Sequence, residues 1–204
     1  MQKKVVLNVQ IHFVDTASVL KLKEKVKLLC ADESFVHHRW YFEHHLELVE
    51  RLVNELKLAY PKANSLMLDT LVWFHDLEKI LRGKVIKPND ILVELGFDLS
   101  DIDEVNRLND IEGSHREVDL AKTEIEVQIL AGADAAAHML GPFFSIYWYE
   151  NPGKTIDEIL SGNLEKIKRD WERKMVLPEI KSSFLSRKNF MLEQMGLYPD
   201  KFII

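Results

Sequence analysis

A single cysteine, Cys30, stands in the whole chain, so no intramolecular disulfide can form and a several-cysteine zinc site within one chain is excluded. Glycine and proline are scarce, eight and six in 204 residues, which argues against a turn-rich all-β fold and against disorder. No apolar run approaches the length of a bilayer span, and the start, Met1 to Leu7, lacks the apolar stretch of a signal peptide. An excess of basic charge is also missing: the net charge is −6, from 27 Lys and Arg against 33 Asp and Glu. The expectation is a cytoplasmic protein that meets neither membrane nor nucleic-acid polymer, although a local basic pocket stays open. No Ser/Gly-rich linker or repeat divides the chain, so residues 1–204 are read as one domain.

What is present is helical periodicity. Only residues 5–13 alternate with a period of two, Val5, Leu7, Val9, Ile11 and Phe13 falling on one side, as in a short strand or extended arm. From Asp15 onward the spacing is helical. Asp15 or Thr16 caps a first helix to about Ala31, with Val19, Leu20, Leu22, Val26 and Leu29 inward. Asp32 is expected to cap a long helix to Tyr60, stopped by Pro61. Asn64 or Ser65 opens a third helix to Leu81, closed by Gly83, and shorter helices span 89–95 and 100–110 around Gly96. Glu117 to Met139 reads as one strong helix ended by Gly141-Pro142, followed by aromatics at 143–149 suited to a core or an oligomer interface. Thr155 and Glu158 form a capping box for a helix to Met175, and Pro178 starts a last helix to Met195. The fold class expected is all-α.

Three segments carry residues that an apolar setting does not tolerate without compensation. His75-Asp76 closes the run Leu71-Val72-Trp73-Phe74, and an adjacent imidazole and carboxylate are costly to bury there. Asp134 is a lone carboxylate inside Ile129-Leu130-Ala131-Gly132-Ala133 and Ala135-Ala136-Ala137, where small residues leave room for a close approach. His45 lies in a helix beside the core, four residues before Val49; its neighbour His44 is the rival at that register. A divalent cation taking imidazole nitrogens and carboxylate oxygens would compensate all of them together.

His45, His75-Asp76 thirty residues on, and Asp134 fifty-eight beyond resemble the H…HD…D pattern of the HD-domain metal-dependent phosphohydrolases. The flanks resemble it too. His45-Leu46-Glu47-Leu48-Val49 is similar to the family's His-x-x-x-Val, Val72-Trp73-Phe74-His75-Asp76-Leu77-Glu78-Lys79 to its apolar-HD-x-x-Lys, and Ile129 to Asp134 to its Ile-Leu-x-x-Ala-Asp. The resemblance covers about residues 38–140 and leaves the 155–195 helices outside; Glu78 departs from the glycine many relatives carry there.

The resemblance implies a helical bundle in which His45, His75, Asp76 and Asp134 bind one divalent metal, with a second metal open. Mn, Fe, Co, Ni, Mg and Zn all suit two histidines and two carboxylates. It further implies hydrolysis of a small phosphorylated substrate, a nucleotide among the candidates, by a metal-activated water, as a phosphomonoesterase or phosphodiesterase. Asp76 would then be ligand and water-orienting group, Lys79 one turn on would meet a phosphate oxygen, and Arg82 with Lys84 would extend the positive edge. His115 would be a second-metal ligand or proton donor, and His138, four residues after Asp134, would touch substrate. Alternatives are a di-iron oxygenase of the same type and a non-catalytic module that retains metal for ligand binding or regulation. The sequence leaves open a homo-oligomer built through the C-terminal helices.

Overall fold

The computed structural model describes residues 15–201 and 203. All regular elements among them are helical: α1 Thr16–Cys30, α2 Glu47–Ala59, α3 Ser65–Phe74, α4 Leu77–Ile80, α5 Pro88–Glu94, α6 Leu99–Gly113, α7 Ile125–His138, α8 Phe143–Glu150, α9 Ile156–Arg169 and α10 Pro178–Gln194. A π-helical turn, Phe42–Leu46, leads straight into α2, and a second, Asp170–Lys174, follows α9. The alternating segment 5–13 lies outside the described residues.

Local chemistry sets most boundaries where the sequence puts them. The Asp15 carboxylate accepts from Ser18 N (2.6 Å) and Asn64 Oδ1 from Met67 N (3.1 Å), each quieting an orphan donor of a first helical turn. Thr155 and Glu158 make the reciprocal capping box. Gly141 ends the turn between α7 and α8 with φ of 60°, a conformation that a side chain would strain.

Helix α7 is buried on nearly every side and packs on α2, α3, α6 and α10, as expected of a helix without a polar stripe. Its small residues permit that crowding. A Cβ on Gly132 would come within 2.5 Å of Ile180 Cδ1, so the chain from Lys174 to Ile180 lies directly against the helix that carries Asp134. No single helix among the described residues is long and apolar enough to cross a membrane; the bent pair α7 and α8 passes by length and composition, and α7 is spent on the core.

Three boundaries differ from the sequence expectation. Residues 31–40 are successive turns, because Asp32 accepts from Ser34 N and from Lys84 instead of capping a helix. Residues 115–124 are turns and a short 3-10 helix capped by Asp119, with Thr123 and Glu124 extended, so the helix bearing Asp134 begins only at Ile125. The expected helix from Asn64 to Leu81 breaks at His75-Asp76, where Asp76 leaves helical geometry (φ −108°, ψ 9°). Leu20, expected inward, is exposed.

Candidate metal centre

The break after Phe74 is what makes the centre geometrically possible. Adjacent residues of a continuous α-helix point about 100° apart, so an unbroken helix could not turn both His75 and Asp76 toward one point. The π-helical turn at Phe42–Leu46 supplies the next element: it buries His45 completely, while His44 is exposed. Of the two, His45 is the one that joins the cluster with His75, Asp76 and Asp134. Insertions of this kind in helices often mark functional sites. The middle of α7 supplies Asp134.

One ligand atom from each of His45, His75, Asp76 and Asp134 lies within 4.8 Å of all the others. His45 Nε2 is 3.2 Å from Asp134 Oδ1 and 3.5 Å from Asp76 Oδ2; His75 Nε2 is 3.2 Å from Asp76 Oδ2 and 3.8 Å from Asp134 Oδ1. His75 Nδ1 is engaged with the Val72 carbonyl (2.9 Å), which fixes the ring and points Nε2 inward. Both nitrogens of His45 and Nε2 of His75 are buried without a hydrogen bond of acceptable geometry. Buried imidazole nitrogens seldom stay unpartnered, so the donor set fits a divalent cation.

The two carboxylates have different surroundings. Asp76 faces an open cleft and accepts a hydrogen bond from the buried Tyr41 hydroxyl, which in turn accepts one from Lys79 Nζ (2.5 Å). Burial raises the Asp76 pKa, but Lys79 and His75 outweigh it and hold the group well below the usual carboxylate range. Asp134 is enclosed. Its Oδ2 accepts from Lys174 Nζ (2.7 Å), which also donates to Glu112 Oε1 (2.5 Å), and all three residues are buried. Burial again opposes ionisation of Asp134, and the Lys174 ammonium overrides it. For His75, burial lowers the pKa, yet Asp76 and Asp134 together lift it to about 9. A cation in the same place must displace that proton.

His138, predicted as a substrate contact, stacks on His45 at 5.0 Å with rings 8° apart, and its Nε2 is 3.6 Å from Asp134 Oδ1. Its Nδ1 meets Asp170 Oδ2 at 3.0 Å. Burial, assisted by Lys166, brings its pKa down to about 4, so the ring is neutral, with Nδ1–H donated to Asp170 and the Nε2 lone pair toward the centre. His115 is half-buried on the Glu112 carbonyl (3.2 Å), outside the group of four.

No family model, curated protein or solved structure matches this chain. The likeness to HD-type proteins therefore stands on these residues and their geometry.

The cleft beside Asp76 encloses about 830 Å³. His75 and Asp76 line one part of it; Lys79, Arg82, Lys84 and Lys87 bring positive charge against the carboxylates of Glu78 and Asp110, and Asn89, Asn106 and Asn109 bring amides. Lys84 is partly satisfied by Asp32 (2.5 Å). Tyr41, Glu112, Asp170, Lys174 and Lys87 were not among the residues expected at the site. Tyr41 carried a usable signal, standing four residues before His45 on the same helical side.

Proposed function

We propose that the protein is a metal-dependent phosphohydrolase acting on a small phosphorylated molecule. One observation carries this reading: a cluster of four convergent metal-ligating atoms reaches, through His75 and Asp76, a cleft whose wall holds Lys79, Arg82, Lys84 and Lys87. In a chain of net charge −6, four cations against Glu78 and Asp110 along one cleft favour an anionic ligand, and its volume suits a small molecule.

His45, His75, Asp76 and Asp134 would hold the ion, which when bound acidifies water and neutralises phosphoryl charge. The chain's own groups do the rest. Asp76 is the ligand nearest the cleft, and the Tyr41 hydroxyl orients its carboxylate. Arg82 and Lys87, both exposed, offer donors to phosphate oxygens beyond the centre. Lys79 is drawn onto Tyr41, its ammonium 4.1 Å from the ring centroid, so its first role is to organise Tyr41 and Asp76. The dry side formed by Asp134, His138 and Phe143 keeps bulk water from the back of the site.

The test is phosphate release from a panel of nucleotides, sugar phosphates and phosphodiesters, with protein stripped by chelator and then given Mn, Fe, Co, Ni, Mg or Zn. Release that returns with one of these metals supports the reading. Tight metal binding with no release from any member would replace it with a metal-retaining binding module.

A further inference from the structure

Lys174 is a buried ammonium within hydrogen-bonding distance of two buried carboxylates, 2.5 Å from Glu112 Oε1 and 2.7 Å from Asp134 Oδ2. The other oxygen of Asp134 faces the three imidazoles, at 3.2 Å from His45 Nε2, 3.8 Å from His75 Nε2 and 3.6 Å from His138 Nε2. Asp134 is thus divided, one oxygen toward the ligand cluster and the other toward Lys174. A carboxylate divided in this way serves two cationic positions, one on each oxygen. Here one of the two positions belongs to a side chain.

We propose that the Lys174 ammonium stands in place of a second metal ion, so that the centre holds one metal per chain. This rests on the metal-centre reading above and says what limits its stoichiometry. Charge balance agrees. Asp76 and Asp134 neutralise one divalent ion, and Glu112 neutralises Lys174. A further divalent ion beside them would stand in a buried site without a carboxylate to offset it. Asp170, the remaining buried acid, is committed to His138 (3.0 Å) and Lys166 (3.2 Å). The placement is built into the fold: Lys174 sits in the second π-helical turn, which packs directly on α7.

The deciding experiment titrates Co(II) alone into chelator-stripped protein, counting bound cobalt per chain and following the visible spectrum. The wild type should saturate at about one. Lys174→Ala vacates space between Glu112 and Asp134 and should take up about two, the second more weakly. Lys174→Met/Glu112→Gln removes the ammonium together with the acid and should return to about one. Two in the wild type overturns the inference and leaves the metal centre standing. So does a folded Lys174→Ala that stops at one. If Lys174→Ala folds only with cobalt present, refolding that saturates at two supports the inference. Saturation at one or none, with the double variant folding normally, overturns it. No cobalt in the wild type removes the centre itself, and the inference with it.

Discussion

Asp76 and Asp134 are the two carboxylates of one centre, yet they live in opposite environments. The Asp76 side chain keeps 22% of its surface and borders an open cleft rich in charge; that of Asp134 keeps 7% and is locked against Lys174 inside the bundle. The contrast separates two tasks that one ligand set must perform. The Asp134 side fixes the position of the ion and belongs to the stability of the fold. The Asp76 side borders the cleft, and can be altered without opening the core. Substitutions should therefore part into those that unfold and those that only inactivate.

The largest effect is expected at Asp134. Asp134→Ala leaves Lys174 with Glu112 alone inside a buried network, and the lost charged hydrogen bond costs about 1.5–3 kcal/mol. Thermal melts should show a drop of many degrees together with loss of metal. On the proposed reading Asp76→Ala should lose metal and phosphate release as completely, with a melting temperature below that of chelator-stripped wild type by less than Asp134→Ala, since only its His75 and Tyr41 contacts go. Equal destabilisation by the two substitutions would erase the distinction.

How far the sequence revealed this centre follows the same division. His45, His75, Asp76 and Asp134 stood out because polar groups in apolar runs are costly, and because a short pattern with its flanks resembles a known one. The all-α bundle was legible from helical spacing and caps. The supporting residues were not legible. Asp170 and Lys174 are four apart on a charged helical stretch and read as a solvated face, and Glu112 reads likewise. Only the approach of that stretch to α7, tertiary in origin, buries them. The break at His75-Asp76 was hidden for the opposite reason: the apolar pattern runs on through Leu77, Ile80 and Leu81, and nothing local marks the end of the helix.

A pH effect of intermediate size should sharpen the contrast. His75, lifted to about 9 by Asp76 and Asp134, is protonated at neutral pH in chelator-stripped protein. The raised pKa contributes stability that is complete below the ordinary histidine value and is lost as pH rises through about 9. Melts of stripped protein should therefore weaken between about pH 7 and pH 9, in a window that metal-loaded protein does not share. Metal must displace the same proton, so binding at pH 7 to 8 should release about one proton per ion. Calorimetry in buffers of different ionisation heat measures it; no release would mean that His75 is already neutral.

The smallest effect belongs to the outer wall of the cleft. Arg82 and Lys87 are exposed and touch none of the four ligand residues through any hydrogen bond or ion pair among the described residues, so their removal should spare both fold and metal. On the proposed function each would supply one positive charge to an anionic substrate in a solvent-open cleft, where a single charge-assisted contact contributes about 1 kcal/mol. Arg82→Ala and Lys87→Ala should each raise KM several-fold and leave kcat within about twofold, because a contact made equally to substrate and transition state acts on binding alone. Added salt should narrow the gap between wild type and variant, since the lost interaction is screened over about 8 Å at physiological ionic strength. A drop in kcat with KM unchanged would instead place Arg82 or Lys87 on the reacting phosphoryl group, and would move the chemistry from the floor of the cleft, at Asp76, toward its rim.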